Sequence, residues 1–508
     1  MQSHEMNKYL NTYNFEAMMK KSLLIFIGIF LVLCNVHVNA GTTDEMIALN
    51  DSVQKSLSEI IGCNLPVICV QTVDNVEPTC EIVYAPAGSW GSTTNSPKLP
   101  ARLVMYQRIN GIDSVLYDSG DYEKDVSGLK IKIRGNTSAR ADKKPYKIKL
   151  EKKKDLLFRG NDSIYKDKEW LLLNDDFLLT TTAFRVSRMV GMIWVPGCQY
   201  VNVIINGRYR GIYLLCESVK RNPDCRLNVD KNSGFIFECD LYWWNEDVYV
   251  SSNQAPSYNY TFKYPDQDEI TVEQLAYMQA LVNAFEATLV TSNYPNMIDV
   301  TSFASWCLVH DIMGTKDGGG CNRFYTKYDT TEQSKIVMPL AWDFDLSERS
   351  GEDWSRCHNK YMAQLFSNSN RAFVGEFVRL WCRIRDDFKN NITRELNVFL
   401  NSKEGRAVES SFPLDNITWD RNRRFDPFVS GHILWFWTRY DWLDGHILSL
   451  RVPYDINLDG VVDVADVTAL ISGVLGTDTV YKVIADVNGD DAVDVSDVTN
   501  LINFILGV

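Results

Sequence analysis

Of 508 residues, 45% are hydrophobic and 23% charged, a length for roughly two to four domains, which excludes a chain without packed cores. The net charge of −13 is unevenly placed: residues 452–508 hold ten Asp, no Glu and one Lys, −9 in all, and the remainder carries only −4. The global acidity therefore says nothing about the main domain's substrate, and no overall basic excess points to nucleic acid.

Lys20-Lys21 precede the apolar run Leu23–Leu33, and Val38-Asn39-Ala40 offers a small-residue cleavage site. This is the pattern of a secretory signal peptide over residues 1–40, with Met18 or Met19 as alternative starts. The run is too short for a standard membrane span and no later stretch qualifies, so the expected mature chain is secreted or periplasmic and has no transmembrane segment. Leu31-Val-Leu-Cys34 looks like a lipobox, but Leu33 is too large before the cysteine. Twelve cysteines, eleven after cleavage, would enter a compartment that permits disulfides. No Cys-x-x-Cys or Cys/His cluster reads as zinc, and Cys216 and Cys307, in apolar runs, fit buried thiols.

Along the mature chain, residues 41–60 suggest a short helix. Apolar runs from Leu65 to Tyr122, split by the loop Gly88–Pro97, predict a small β unit over 41–127. Leu129–Arg134 and Pro145–Leu150 alternate and read as strands around the turn Gly135–Lys144. Trp170–Val190 reads mostly as helix. Gln199–Ile205 and Arg208–Cys216 form a hairpin about Asn206-Gly207, a type I′ signal. Helices are expected at Thr271–Val290, Val300–Met313, Phe373–Leu400 and His432–Leu450, with strands at Arg323–Tyr328 and Ile336–Ala341. A β-rich half thus precedes a helical half over 128–450, an α+β layout shared by two-lobed kinase-like folds and by other domains.

Three segments carry chemistry. Lys130–Lys154 holds eleven Lys/Arg against Asp142 and Glu151. Its turn reads Arg134-Gly-Asn-Thr-Ser138, and Lys147 and Lys149 share one face of the next strand. Such a turn with strand lysines can grip polyphosphate; a solvated basic hairpin is the competing reading. Asp317-Gly-Gly-Gly-Cys-Asn322 has the D-x4-N spacing of a kinase catalytic loop, with Thr315-Lys316 in place of the usual His-Arg. Trp342-Asp343-Phe344-Asp345 ends a strand 26 residues after Asp317, where a metal-binding D-F-G would stand, with Asp345 in place of Gly.

Taken with Lys144-Pro-Tyr-Lys-Ile-Lys149 and Gly211-Ile-Tyr-Leu-Leu-Cys-Glu217, these motifs resemble the spore-coat CotH family of atypical secreted protein kinases over about 128–450. The resemblance implies ATP-dependent phosphorylation of Ser/Thr in a protein substrate, with Mg²⁺ or Mn²⁺. It makes Asp317 the catalytic base and assigns metal to Asn322 and Asp343, with Asp345 assisting. It places Lys147 or Lys149 on phosphate with Arg134 nearby, and Glu217 beside the adenine. No helix Glu clearly pairs with the lysine; Asp175 or Asp176 are nearest. A non-catalytic interaction module and a carbohydrate-active hydrolase remain alternatives; the latter draws on Tyr242-Trp243-Trp244 as sugar-binding aromatics against a core-packing reading.

The tail repeats one acidic motif. Asp455, Asn457, Asp459, Asp463 and Asp466, then Asp486, Asn488, Asp490, Asp494 and Asp497, occupy positions 1, 3, 5, 9 and 12 of EF-hand-like calcium loops. Val461 and Ala492 sit at position 7, where a backbone carbonyl suffices, and each loop leads into an apolar run. Four carboxylates per loop repel until a cation joins them. Position 6 is Gly460 in one loop and Asp491 in the other, so the second loop is expected to be weaker. Over 453–508 the pair resembles a type I dockerin, a small α-helical module with two calcium sites. That implies binding to a cohesin on a scaffoldin or cell surface, in a cellulosome-like polysaccharide-degrading assembly, with Val464-Ala465 and Val495-Ser496 influencing partner choice.

Overall fold

Alternation builds the first half of the molecule. In the computed structural model, which describes residues 44–89, 91–160, 162–174, 178–254, 258–315, 318, 322–348, 351–355 and 360–508, Leu129, Ile131, Ile133, Ile148 and Leu150 all point into one apolar core. The intervening lysines point out. Seven strands enclose that core: β1 (Val67–Thr72), β2 (Leu99–Ile109), β3 (Leu129–Ile133), β4 (Tyr146–Lys154), β5 (Asp167–Leu173), β6 (Cys198–Ile205) and β7 (Arg208–Glu217). Their order is β5-β4-β3-β2-β1-β6-β7, and β5 pairs back onto β7, closing a barrel. Only the β1–β6 pairing in the ring is parallel. Asn206 and Gly207 both take positive φ, the mark of the expected type I′ turn between β6 and β7.

Two expectations change here. The expected unit 41–127 does not stand apart: β1 pairs with β6 and β2 with β3, so a boundary at 127/128 runs through one closed sheet. Trp170–Leu173, expected to begin a helix, is the strand that closes the barrel, and the helix α1 starts only at Leu179 and runs to Val190. A four-residue apolar run cannot tell strand from buried helix by periodicity. Within the expected loop 88–97, Ser92–Asn95 pairs with Glu81–Tyr84 as a two-stranded sheet.

A second, antiparallel sheet follows: β8 (Phe235–Cys239), β9 (Tyr249–Ser251), β10 (Asn259–Tyr264), β11 (Arg323–Lys327) and β12 (Ile336–Val337), in the order β9-β10-β8-β11-β12. The longer helices of this half are α2 (Val272–Leu289), α3 (Val300–Met313), α4 (Ala372–Asn401), α5 (Lys403–Thr418) and α6 (Phe425–Leu448). Residues 302–313 of α3 are all buried, which makes it the central rod of the largest core. Cys216 and Cys307 are buried, as their apolar surroundings suggested. In the tail, α7 (Val464–Val474) and α8 (Val495–Leu506) each start at a loop's position-9 aspartate, Asp463 or Asp494, in a capping box closed by the position-12 aspartate. No helix among the described residues is long and apolar enough to cross a membrane.

One buried ion cluster ties α5 to the barrel. Asp415 accepts from Lys143 (2.8 Å), from Arg423 (3.0 Å) and from the Ile212 N–H (3.0 Å). Burial alone would raise its carboxyl, but Lys143 and Arg423 hold it below the usual range. Such a depressed carboxylate contributes stability above its unfolded pKa, which is lost as pH falls through the folded value. Asp415→Ala is therefore expected to cost about 3–5 kcal/mol at neutral pH, the usual effect of orphaning a buried cation. The gap to wild type should narrow as the pH is lowered into the acid range in urea titrations.

Candidate functional site

The basic turn and the two aspartates meet. A cleft of about 650 Å³ runs between the outer wall of the barrel and the second sheet, lined by Arg134, Lys132 and Lys147 on one side and by Asn322, Asp343 and Asp345 on the other. Its volume falls within the range of ligand sites, about 300–1,000 Å³. Gly135 makes the turn possible: its φ is +91°, and a Cβ there would lie 2.3 Å from Ser138 Oγ. The small hairpin 81–95 braces this turn, since Thr93 Oγ1 donates to Asn136 Oδ1 (2.6 Å) and Thr94 Oγ1 to the Gly135 carbonyl (2.7 Å).

The acidic wall is aimed by its hydrophobic neighbours. Trp342 and Phe344 are buried, while Asp343 is half-buried and Asp345 exposed. Trp342 packs on Phe184 of α1 (6.2 Å between ring centres), and Phe344 lies 5.2 Å from the ring of His310 on α3. Burial pushes His310 down to about 4, so the imidazole against Phe344 is neutral, and its Nδ1 contact to the Trp306 carbonyl (2.9 Å) holds the ring on α3. Asp343 sits at φ +66° and Asn322 at +61°, a left-handed region that Asp and Asn tolerate at a cost and that collects at functional sites. Arg134 feels both aspartates: burial pulls its pKa down, and the charges of Asp343, Glu238 and Asp345 oppose that pull. A guanidinium stays charged under these conditions.

Of the residues singled out by sequence, Arg134, Lys147, Asn322, Asp343 and Asp345 share the cleft. Lys149 does not line it; exposed, it stands 3.6 Å from Glu169, the same carboxylate that Lys147 holds at 2.8 Å. Glu217 is also elsewhere. Its carboxylate is buried, accepts from Arg159 (2.9 Å) and the Gly197 N–H (2.8 Å), and does not line the cleft; the next two residues, Ser218 and Val219, line it instead. Asp317, Asp175 and Asp176, like the signal segment 1–40 with Cys34, lie outside the described residues. Tyr242 lines the cleft, and Trp243 packs on Tyr249 (4.5 Å) rather than forming an open platform.

Sequence reasoning missed the cleft's own ion pair. Glu238 of β8 and Lys263 of β10 stand 3.0 Å apart, and the Asn322 N–H donates to the Glu238 carboxylate. Burial raises the Glu238 carboxyl, with Lys263 only partly offsetting it. The signal was a single Glu inside the apolar strand Phe-Ile-Phe-Glu-Cys, but its partner is set by cross-strand pairing. Glu169 was missed for the same reason. Burial would raise it, yet Lys147 and Lys220 hold it below its ordinary range.

The calcium loops are built alike. Asp455 accepts from the Gly460 (2.8 Å) and Asp459 (3.1 Å) N–H groups, and Asp486 from those of Asp491 (3.0 Å) and Asp490 (3.2 Å). Burial raises the Asp455 carboxyl, and the charges of Asp466 and Asp459 add to it, an uncompensated acidic centre that fits a divalent cation. Asn457, Asp459, the Val461 carbonyl, Asp463 and Asp466 would complete the oxygen set, as would Asn488, Asp490, the Ala492 carbonyl, Asp494 and Asp497 in the second loop. No three acidic, His or Cys side chains among the described residues already stand together at a metal point. The expected weakness of loop two has a counterweight: position 4 also takes positive φ, and there loop one carries Leu458 (+62°) and loop two Gly489 (+74°). Left-handed Leu costs about 1–2 kcal/mol, so each loop has one unfavourable position.

Residues 131–403 match the family model described as CotH kinase protein, and residues 453–506 match the dockerin type I domain. The chain belongs to the CotH family and carries a C-terminal dockerin, a calcium-binding module. No curated protein matches it. The barrel strands β1 and β2 and the bracing hairpin lie ahead of the family match.

The Glu238–Lys263 pair generates a pH test. A carboxyl raised in the folded state favours folding below its unfolded pKa, and that contribution is lost as pH rises through the folded value. Lys263→Met removes the compensating cation. It is expected to cost about 1–3 kcal/mol at pH 7, the penalty of an unsatisfied buried group, and clearly less at pH 5, by denaturant unfolding at both pH values.

Proposed function

We propose that the CotH region is an ATP-dependent protein Ser/Thr kinase and that its dockerin tethers it, through a cohesin, to an extracellular scaffold or cell surface. The observation that supports this is the shared cleft: cationic Arg134 and Lys147 face Asn322, Asp343 and Asp345 across it. Phosphoryl transfer needs positive groups on the phosphates and carboxylates for a metal, with little covalent work left to the protein. Lys147 and Arg134 neutralise phosphate oxygens. Asn322 and Asp343 would hold Mg²⁺ or Mn²⁺ with Asp345 assisting, and the bound ion would supply charge neutralisation at the transferred phosphoryl. Asp317, five residues before Asn322, orients the acceptor hydroxyl and takes its proton. Leu171, Val219, Phe324 and Trp342 offer apolar surface to a base. The β-barrel half and the helical half act as the two lobes of an atypical kinase-like domain. Export follows from the signal-like segment before residue 41, and attachment to a polysaccharide-degrading assembly from the dockerin.

The test is calorimetric titration with ATP and Mg²⁺ or Mn²⁺, followed by labelled phosphate transfer to a Ser-rich protein. Asp343→Ala is expected to lose nucleotide affinity and turnover together. Asp317→Ala should keep nucleotide binding and lose transfer by about 10²–10⁴-fold, the usual effect of removing a general base. Wild-type protein that binds no nucleotide with either ion would instead make the cleft part of a non-catalytic interaction module.

A further inference from the structure

The two calcium loops have the same internal geometry and different surroundings. Asp463 and Asp494, at position 9, agree within a degree in φ and ψ (−150°, −165° against −149°, −164°). Yet Asn488, Gly489, Asp490 and Asp491 of loop two are all exposed, whereas in the matching stretch of loop one only Asp459 is exposed and Leu458 is buried. Leu458 is 5% exposed and joins one core with Phe373, Val374 and Val378. Gly375 of α4 backs directly onto it, for a Cβ there would lie 1.9 Å from the Leu458 carbonyl oxygen. Arg379 donates to the Asn457 carbonyl (2.9 Å). Arg371 lays its stem over Gly460, where a Cβ would meet Arg371 Cγ at 2.4 Å, and donates to the Leu450 carbonyl (2.6 Å).

We infer that the first calcium loop is an interdomain clamp: with calcium bound it fastens the dockerin to α4, stabilises the CotH region, and differs in calcium affinity from the freely exposed second loop. This does not depend on the kinase reading. The groups held by Arg371 and α4 are the Cα of Gly460 and the carbonyls of Asn457 and Leu458, the backbone of loop positions 6, 3 and 4. Their placement depends on the loop being closed around its ion, because its four carboxylates repel one another otherwise. Docking also explains the left-handed Leu458, whose buried side chain offsets the strained backbone. By linkage, docking must raise loop-one affinity by the same factor by which calcium strengthens docking.

All thirteen tryptophans precede residue 443, so tryptophan fluorescence of the full chain reports on unfolding of the CotH region and not of the dockerin. Removing calcium with a chelator is expected to lower the tryptophan-detected midpoint. Asp459→Ala in loop one should lower it likewise in calcium, while Asp490→Ala, its counterpart in loop two, should leave it unchanged. Gly375→Ala puts the better helix former into α4 and yet should weaken one of the two calcium sites by about fivefold or more in a calcium titration, the scale of typical coupling. Arg379→Ala should do the same with no added bulk, and it carries the test alone if Gly375→Ala fails to fold. A tryptophan transition indifferent to calcium would overturn the clamp, as would two sites of equal affinity or wild-type calcium binding in Arg379→Ala.

Discussion

The pairing of β5 with β7 governs the rest of the structure. Trp170–Leu173 bonded to Leu214–Glu217 turns an open sheet into a ring, and a ring has no free edge along which a strand can slip. Register is then fixed all the way round, with Lys147 opposite Leu171 and Lys132 opposite Lys147. A one-residue slip would turn the outward lysines into the core and the core isoleucines into the cleft. The same strand β5 supplies Glu169 to hold Lys147, and the segment after β7 supplies Ser218 and Val219 to the cleft. Closure thus sets both the barrel core and the wall that faces Asp343.

The basic run Lys130–Lys154 is divided among different tasks. Lys143 is a buried structural cation on Asp415, and Lys144 caps the Ala139 carbonyl. Lys132, Arg134 and Lys147 line the cleft. Lys149, Lys152 and Lys153 are exposed to solvent. In the cleft, positive groups crowd one another: burial pulls Lys132 down, and Lys147 and Lys98 add to the pull. That arrangement is held by the opposing acids Asp343, Asp345, Glu238 and Glu246 and would be relieved further by an anion.

How much was readable from sequence follows from how local each feature is. The acidic loops and the helices after them were legible because the motif spacing and the apolar run that follows are local, whereas the capping boxes and the left-handed Leu458 and Gly489 were not read from that spacing. Arg134, Lys147, Asn322, Asp343 and Asp345 were visible as short motifs in a fixed order. The barrel was hidden because its closing strand is a brief apolar run, and because β1 pairs with β6 across more than a hundred residues. Glu238, Lys263 and Glu169 gain their partners through cross-strand register, which no local pattern carries. Glu217, expected beside the adenine just after the hairpin, is instead the last residue of β7, and the sequence around it gives no hint that Arg159 and the Gly197 N–H engage its carboxylate.

The proposed kinase activity requires that Lys147, among all the lysines of the basic strand, meet phosphate opposite Asp343. An acyl-phosphate derivative of ATP acylates whichever amine lies against its phosphates, and peptide mapping then locates the modified lysine. Labelling concentrated on Lys147, suppressed by excess ATP with Mg²⁺ and lost in Asp343→Ala, is the predicted result. Labelling spread over Lys149, Lys152 and Lys153, or undiminished by ATP, would contradict it.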